Sequence, residues 1–372
     1  MYRLFDRIPI NDNISRWDVS NVTNMEEMFE FCGGFNQPIG NWDVSKVTTM
    51  KLMFSHTSFN QDISKWNVSN VTTMYGMFYG FHGRTSFNQP IGNWNVSNVA
   101  NMEGIFRKSS FNQDISEWNV SSLSGGSAIN IFYDSRFNQS LRNWNVSNIT
   151  SFYAFFIDAT IFNEDISNWD VSNGTNIVWM FNGATNFNQP IGKWNVSNMN
   201  NMHGAFNSAS NFNQDISQWN VSNVSNFKET FWNSSKFNQD LSHWVLKSTL
   251  TDMSRFLTGT ATDSANYTKM LIAWAAQTDP PINVSFGPPS VPYYDIATDA
   301  YNYLRNTLNW SFTSSSIQTP DLLFQYNEKT RIYTINEAIT IYTPVVISIY
   351  NTFSFSITPS LPTGLSINTT TG

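Results

Sequence analysis

Five aspartates stand at one phase of this chain, Asp62, Asp114, Asp165, Asp215 and Asp240, each directly after a Gln or Glu. Carboxylates repeated at a fixed phase could form a calcium ladder, because calcium gathers oxygen ligands at ~2.3–2.6 Å. Most of these carboxylates are two repeats apart, about 10 Å at the spacing of paired strands, which is too far to share an ion. Pro38, Pro90 and Pro190 hold the same phase in other copies, and Asp interchangeable with Pro is the habit of a turn. No metal site is expected. His56, His82, His203 and His243 fall at unrelated phases, and the chain has no glycine-rich phosphate loop, metal-ligand cluster or nucleophile elbow. Cys32, between Phe31 and Gly33, reads as a small core residue rather than a nucleophile. The expectation is a chain with no catalysis and no cofactor. The enzymatic rival is a polysaccharide lyase built on stacked coils. That chemistry needs acids and bases converging on adjacent coils, and here the charges are dispersed.

The chemistry the chain does hold in quantity is that of amides. Asn36, Asn60, Asn88, Asn112, Asn138, Asn163, Asn188, Asn213 and Asn238 each follow a Phe. An Asn at a fixed phase satisfies backbone groups of its own and the next coil, or touches a ligand; the structural role is favoured. A second set flanks tryptophans. If each Trp points inward, its two neighbours point out. They are Lys65 and Asn67, Asn93 and Asn95, Glu117 and Asn119, Asn143 and Asn145, Asn168 and Asp170, Lys193 and Asn195, and Gln218 and Asn220. Such a flat polar face, rich in amides and short of charge, suits glycan or peptide recognition through many weak hydrogen bonds, or is simply solvated. If the Trp side chains faced out instead, they would make a sugar-stacking ladder and an aggregation-prone surface. Sequons at Asn21, Asn67, Asn70, Asn95 and Asn145 fall on the repeat itself, so its geometry accounts for them without attached sugar.

These residues are positioned by a repeat. Tryptophans at 17, 42, 66, 94, 118, 144, 169, 194, 219 and 244 are 24 to 28 residues apart. A period in the twenties means stacked supersecondary units, each contacting only its neighbours. Phe-Asn precedes each Trp by seven residues, with Ile10-Asn11 in the first unit, and another Phe follows twelve residues after most of them. Trp-x-Val, as in Trp17-Asp18-Val19, alternates apolar and polar and predicts a short strand. Val22 through Phe29 spaces its apolar residues by three and four. That predicts a helical turn, with Thr23 and Glu26 as a capping box. The predicted fold is a solenoid of about ten coils, with parallel strands about 4.8 Å apart in a right-handed coil. One coil alone cannot offset its ordering entropy, so the ends call for caps.

The repeats are expected over 1–258, with a degenerate tenth copy in which Trp244-Val-Leu-Lys replaces Trp-Asn-Val-Ser. An α/β capping block is expected over 259–316. Its helices open at Asp263 or Ser264 and near Asp295, and its strands lie at Ile282–Phe286 and Trp310–Phe312. A β-rich segment over 317–372 is about fifty residues long, half of what a β-sandwich needs. Net charge is −7 and only 13% of residues are charged, which disfavours nucleic acid. One cysteine excludes an intrachain disulfide framework. No run of 18 apolar residues occurs, so no transmembrane helix is expected. The opening Met1-Tyr-Arg-Leu-Phe-Asp lacks a signal-peptide core. The reading is a piece of a longer exported protein, with export signal and anchor outside this chain.

The units Phe59–Val71 and Phe212–Val224, Phe-Asn-Gln-Asp-Ile-Ser-x-Trp-Asn-Val-Ser-Asn-Val, resemble those of BspA-like leucine-rich-repeat surface proteins, including the repeats of mycoplasma surface lipoproteins. The stretch from Ala265 to Gly287 is similar to the segment that often follows such repeats. Residues from about 321, with Ser360-Leu-Pro-Thr-Gly364, resemble the front half of an immunoglobulin-like domain. The resemblance implies a leucine-rich-repeat-like solenoid at a cell or virion surface. The expected role is adhesion, monomeric, through an extended face that meets a protein or glycan of a host or neighbouring cell. A structural spacer or fibre component is the alternative, and a solenoid glycan-active enzyme the second.

Overall fold

In the computed structural model, which describes residues 1–80 and 83–313, aromatic rings of successive units lie over one another. Phe29, Phe54, Phe78, Phe106 and Phe132 stack at 5.8–6.0 Å between centroids. Phe35, Phe59, Phe87, Phe111 and Phe137 form a second column at 5.9–6.2 Å. The columns touch within each coil, as at Phe54–Phe59, 4.0 Å. Tryptophans form a third column, with Trp66–Trp94 and Trp169–Trp194 at 6.5 Å and nearly parallel. Each indole of this column, Trp42 to Trp244 at the repeat spacing, is buried and donates Nε1–H to a carbonyl of the coil before, as Trp42 to Ile14, Trp94 to Ile63 and Trp194 to Ile166. The tryptophans therefore point inward, and the outward sugar-stacking ladder is not formed. The expected segment over 317–372 lies outside the described residues.

The backbone pairs elsewhere than expected. No parallel bridge joins the Trp-x-Val segments among the described residues; most bridges lie seven residues further on. They link Asn24, Thr49, Thr73 and Asn101, then run from Ser151 through Asn176, Asn201 and Asn226 to Asp252. At Trp-x-Val the side chain after Trp competes with the ladder. Asn67 Oδ1, for example, accepts from both the N–H and the hydroxyl of Ser69, an Asx turn that takes up a ladder donor.

The next segment is not helical either. The N–H groups of Met25, Glu27, Phe29 and Phe31 donate to the carbonyls of Thr49, Lys51, Met53 and Ser55 in the next coil. Those of Met28, Glu30 and Cys32 close turns onto Met25, Glu27 and Phe29. Glu27 and Phe31 are left-handed, at φ 55° and 58°, and a helix of L-residues does not run through that region. The pattern recurs at Leu52 and His56, Ala154 and Asp158, and Glu229 and Asn233. Thr23 makes no capping bond among the described residues. Met25, Met28, Phe29 and Cys32 still share the interior, because a turn closing every few residues returns them to one side much as a helix would.

The asparagines form a continuous third ladder. Asn36 N–H donates to Asn11 Oδ1, Asn60 to Asn36, and so on to Asn238 on Asn213, at 2.8–3.0 Å throughout. Asn112→Ala would leave the Asn138 N–H, 2.8 Å from Oδ1, without its acceptor. The expected loss is about 1–2 kcal/mol in urea unfolding, with Asn112→Asp, which keeps an acceptor, losing less.

The ladder ends by changing into a helix cap. Asp263 N–H donates to Asn238 Oδ1, while Asp263 Oδ1 accepts from Asn266 N–H. Asp263 is thus the N-cap of α1, Ser264–Ala275. Backbone pairing also runs on. β1 (Asp252–Met253) follows the Asn226 rung and pairs in parallel with β2 (Ser285–Phe286), and β2 with β3 (Ser311–Phe312). The block after residue 258 is therefore two more rungs carrying inserted helices. The second helix, α2, spans only Thr298–Asn302, between a 3-10 turn at Asp295–Ala297 and a π turn at Tyr303–Thr307. Here the rings cross instead of stacking, with Trp274 and Phe286 at 89°.

Candidate functional site

All fourteen Trp-flanking residues are exposed. The seven after the tryptophans hold their own turns. Oδ1 of Asn67, Asn95, Asn119, Asn145, Asp170, Asn195 and Asn220 each accepts from the Ser N–H two residues on. Of the seven before, Gln218 bonds to the Ser217 hydroxyl. Lys65, Asn93, Glu117, Asn143, Asn168 and Lys193 project from the same wall. None of the fourteen is aromatic, and half of them are satisfied by their own backbone. The five phased aspartates behave alike. Oδ1 of Asp62, Asp114, Asp165, Asp215 and Asp240 accepts from a Ser N–H two residues on. The Ser64 hydroxyl and then its amide hold Asp62 below the usual carboxylate range. Cys32 is buried and its thiol donates to the Phe5 carbonyl at 2.8 Å; burial pushes its pKa up to about 11.

The face with varied chemistry is the one carrying the backbone ladder. Between the interior Met and Phe positions, side chains project outward at phases where the copies differ. One phase reads Lys51, Tyr75, Glu103, Tyr153, His203 and Lys228; another reads Tyr79, Arg107, Tyr133, Asn182 and Trp232. Neighbouring coils bring these together. The Arg107 guanidinium lies over Tyr79 at 5.1 Å and Tyr133 at 4.4 Å, so cation–π contact fixes it between two rings. Tyr153 meets Trp179 at 5.6 Å, and Trp179 meets His203 edge-on at 5.5 Å. Glu229 accepts from Arg255 at 3.0 Å, and Arg255 covers Trp232 at 4.6 Å. Comparing copies phase by phase was the signal that could have found this face: an invariant frame with a few variable positions.

The left-handed residues aim the side chains. Trp179 has φ 56°. Its neighbour one coil on is Gly204, at φ 60°, where an added Cβ would sit 2.3 Å from Trp179 Cδ1. Gly204→Ala is expected to cost about 1–2 kcal/mol from the backbone conformation alone and to displace the indole. Thermal unfolding with intrinsic tryptophan fluorescence reads both effects.

A concavity of about 380 Å³ opens on this face. Its lining includes Arg107, Asn130, Tyr133, Tyr153, Ile157, Asp158, Trp179 and Asn182. The volume falls within the range of small-ligand sites, and so does the lining, aromatic with a few convergent polar groups.

One unit copied and stacked around a recurrent apolar interior defines a repeat protein. The chain belongs to the family described as Mycoplasma protein of unknown function, DUF285, whose model matches residues 1–83, 80–163, 127–201 and 153–270. No curated protein and no solved structure matches it. Among the described residues no helix is long and apolar enough to cross a membrane.

Proposed function

We propose that the chain is a leucine-rich-repeat-like solenoid of the BspA-like kind, displayed at a cell surface, that binds a host or neighbouring cell without catalysis. The contact is made by side chains of the ladder face. The observation that carries this reading is the division of labour among the walls. The Asn ladder and half of the Trp-flanking residues are taken up by the protein's own backbone, whereas outward aromatic side chains that differ from copy to copy, with charged groups packed on them, sit on the ladder face. Family membership supports a repeat protein, and the low charge argues against nucleic acid as partner.

The test is binding of the labelled full chain to cultured host cells. Saturable binding is expected, reduced by a Tyr153→Ala/Trp179→Ala double variant and kept by an Asn95→Ala/Asn145→Ala double variant. The absence of saturable binding would refute adhesion and leave the spacer reading.

A further inference from the structure

The concavity on the ladder face gathers polar groups and aromatic rings in one hollow. Asn130, Asn182 and the Asp158 carboxylate line it, as do the rings of Tyr133 and Tyr153. Among the described residues, none of these five side chains makes a hydrogen bond or ion pair through its polar atoms. The amides of the Asn ladder, by contrast, are held by backbone, as Asn60, Asn88 and Asn213 are. Convergent polar groups left without internal partners, around an aromatic-walled hollow, are what a ligand's own donors and acceptors require.

The backbone excludes one class of ligand. The N–H groups of Asn130, Asp134, Ala154 and Asp158 donate to the carbonyls of Tyr153, Ile157, Val178 and Asn182. No strand edge is open here, so an extended peptide could not add by main-chain pairing. Charge excludes another class. Asp134 is paired with Arg84, and the Arg107 guanidinium is held over two tyrosine rings. Against that one guanidinium the lining sets the Asp158 carboxylate, so the hollow offers no cluster of positive charge to grip a polyanion. The chemistry that remains is flat C–H faces stacked on rings, with hydroxyls meeting carboxylate, amide and phenol groups. The Tyr153 and Trp179 rings, 5.6 Å apart and inclined at 52°, present two such stacking faces from adjacent coils.

We infer that this concavity binds a neutral, hydroxyl-rich saccharide of one or a few residues, with Trp179 and Tyr153 stacking on the sugar and Asp158, Asn130 and Asn182 receiving its hydroxyls. The inference rests on the adhesion reading and names the ligand class of that face. The experiment applies the full chain to immobilised N-acetyllactosamine, chitotriose, maltotriose and mannotriose, with sialyllactose and heparin oligosaccharides as anionic comparators. Hits are titrated by tryptophan fluorescence. Capture of at least one neutral sugar is expected. Asp158→Asn and Trp179→Leu should each weaken it about tenfold or more, while Asn95→Ala changes it less than about twofold. Circular dichroism of Asp158→Asn, a near-isosteric change, separates lost binding from lost fold. Cell binding that persists with no neutral sugar captured overturns the inference and leaves adhesion standing. Capture of anionic glycans alone, or neutral-sugar binding indifferent to Asp158 and Trp179, overturns it too. The loss of both cell and sugar binding overturns both readings.

Discussion

Trp194→Ala is expected to lower stability by about 3–5 kcal/mol. The side chain is 4% exposed. It stacks on Trp169 at 6.5 Å and on Phe181 at 6.4 Å, and donates to the Ile166 carbonyl at 3.2 Å. Truncation removes the ring from the column, opens a cavity and takes from the Ile166 carbonyl one of its two donors, the Trp169 N–H being the other, and these costs combine. Each coil touches only its neighbours, so the damage should be local. Limited proteolysis should cut near residues 187–212, and urea unfolding should broaden or split into two transitions. Trp17→Ala is the control, because Trp17 is 40% exposed at the first coil; its expected loss is about 1 kcal/mol or less. Equal losses for the two variants would show that position in the stack does not decide the energy.

Glu30 gives the second large effect, through pH. It is 9% exposed, and it lies with Asp6 and Glu27 in a cluster whose carboxylate oxygens are within 4.8 Å of one another. Burial, then the charges of Glu27 and Asp6, push its pKa from 4.5 up to about 7, against the opposing pull of Arg7 and Arg3. The folded state therefore holds a proton that the unfolded state releases. Stability contributed by neutral Glu30 is full below about 4.5, falls as pH rises through 7, and is gone above. The shift corresponds to about 3 kcal/mol. Glu30→Gln removes the titration. At pH 8 the variant should be more stable than the wild type by about 2–3 kcal/mol, and at pH 4 the two should match. Aspartates such as Asp62, lowered by their turns, contribute the opposite trend in acid, which is why the comparison is with wild type at each pH. Parallel stability curves for the two proteins across this range would refute the account.

The sequence made the rung period, the inward indoles and the structural Asn column legible, because each rests on one residue type at one spacing. Asp263 as helix cap was legible for the same reason: a short acceptor before an apolar-periodic run. The path of the backbone within a coil was not. Met25, Met28, Phe29 and Cys32 have the spacing of a helix face, and a run of short turns buries the same set. What separates the two is handedness at Glu27, Leu52 and Ala154, which nothing about Glu, Leu or Ala announces. Their counterparts in other copies are Gly76, Gly104 and Gly204, also left-handed, and glycine at one phase in some copies was the available hint. The hollow was not legible, because it depends on which side chains of adjacent coils converge, as Tyr153, Trp179 and Asp158 do, and the repeat spacing does not announce that.

The Asn-to-Asn bonds between neighbouring coils, each spanning about 25 residues of chain, as from Asn163 to Asn138, have a mechanical corollary. A pull on the two ends of the stack does not meet one shared core that must rupture at once. It strips the outermost turn first, and each stripped turn lengthens the tether by about 80–90 Å at full extension. Stretched between two moving bodies, such a chain yields in small successive steps and rewinds when the tension drops.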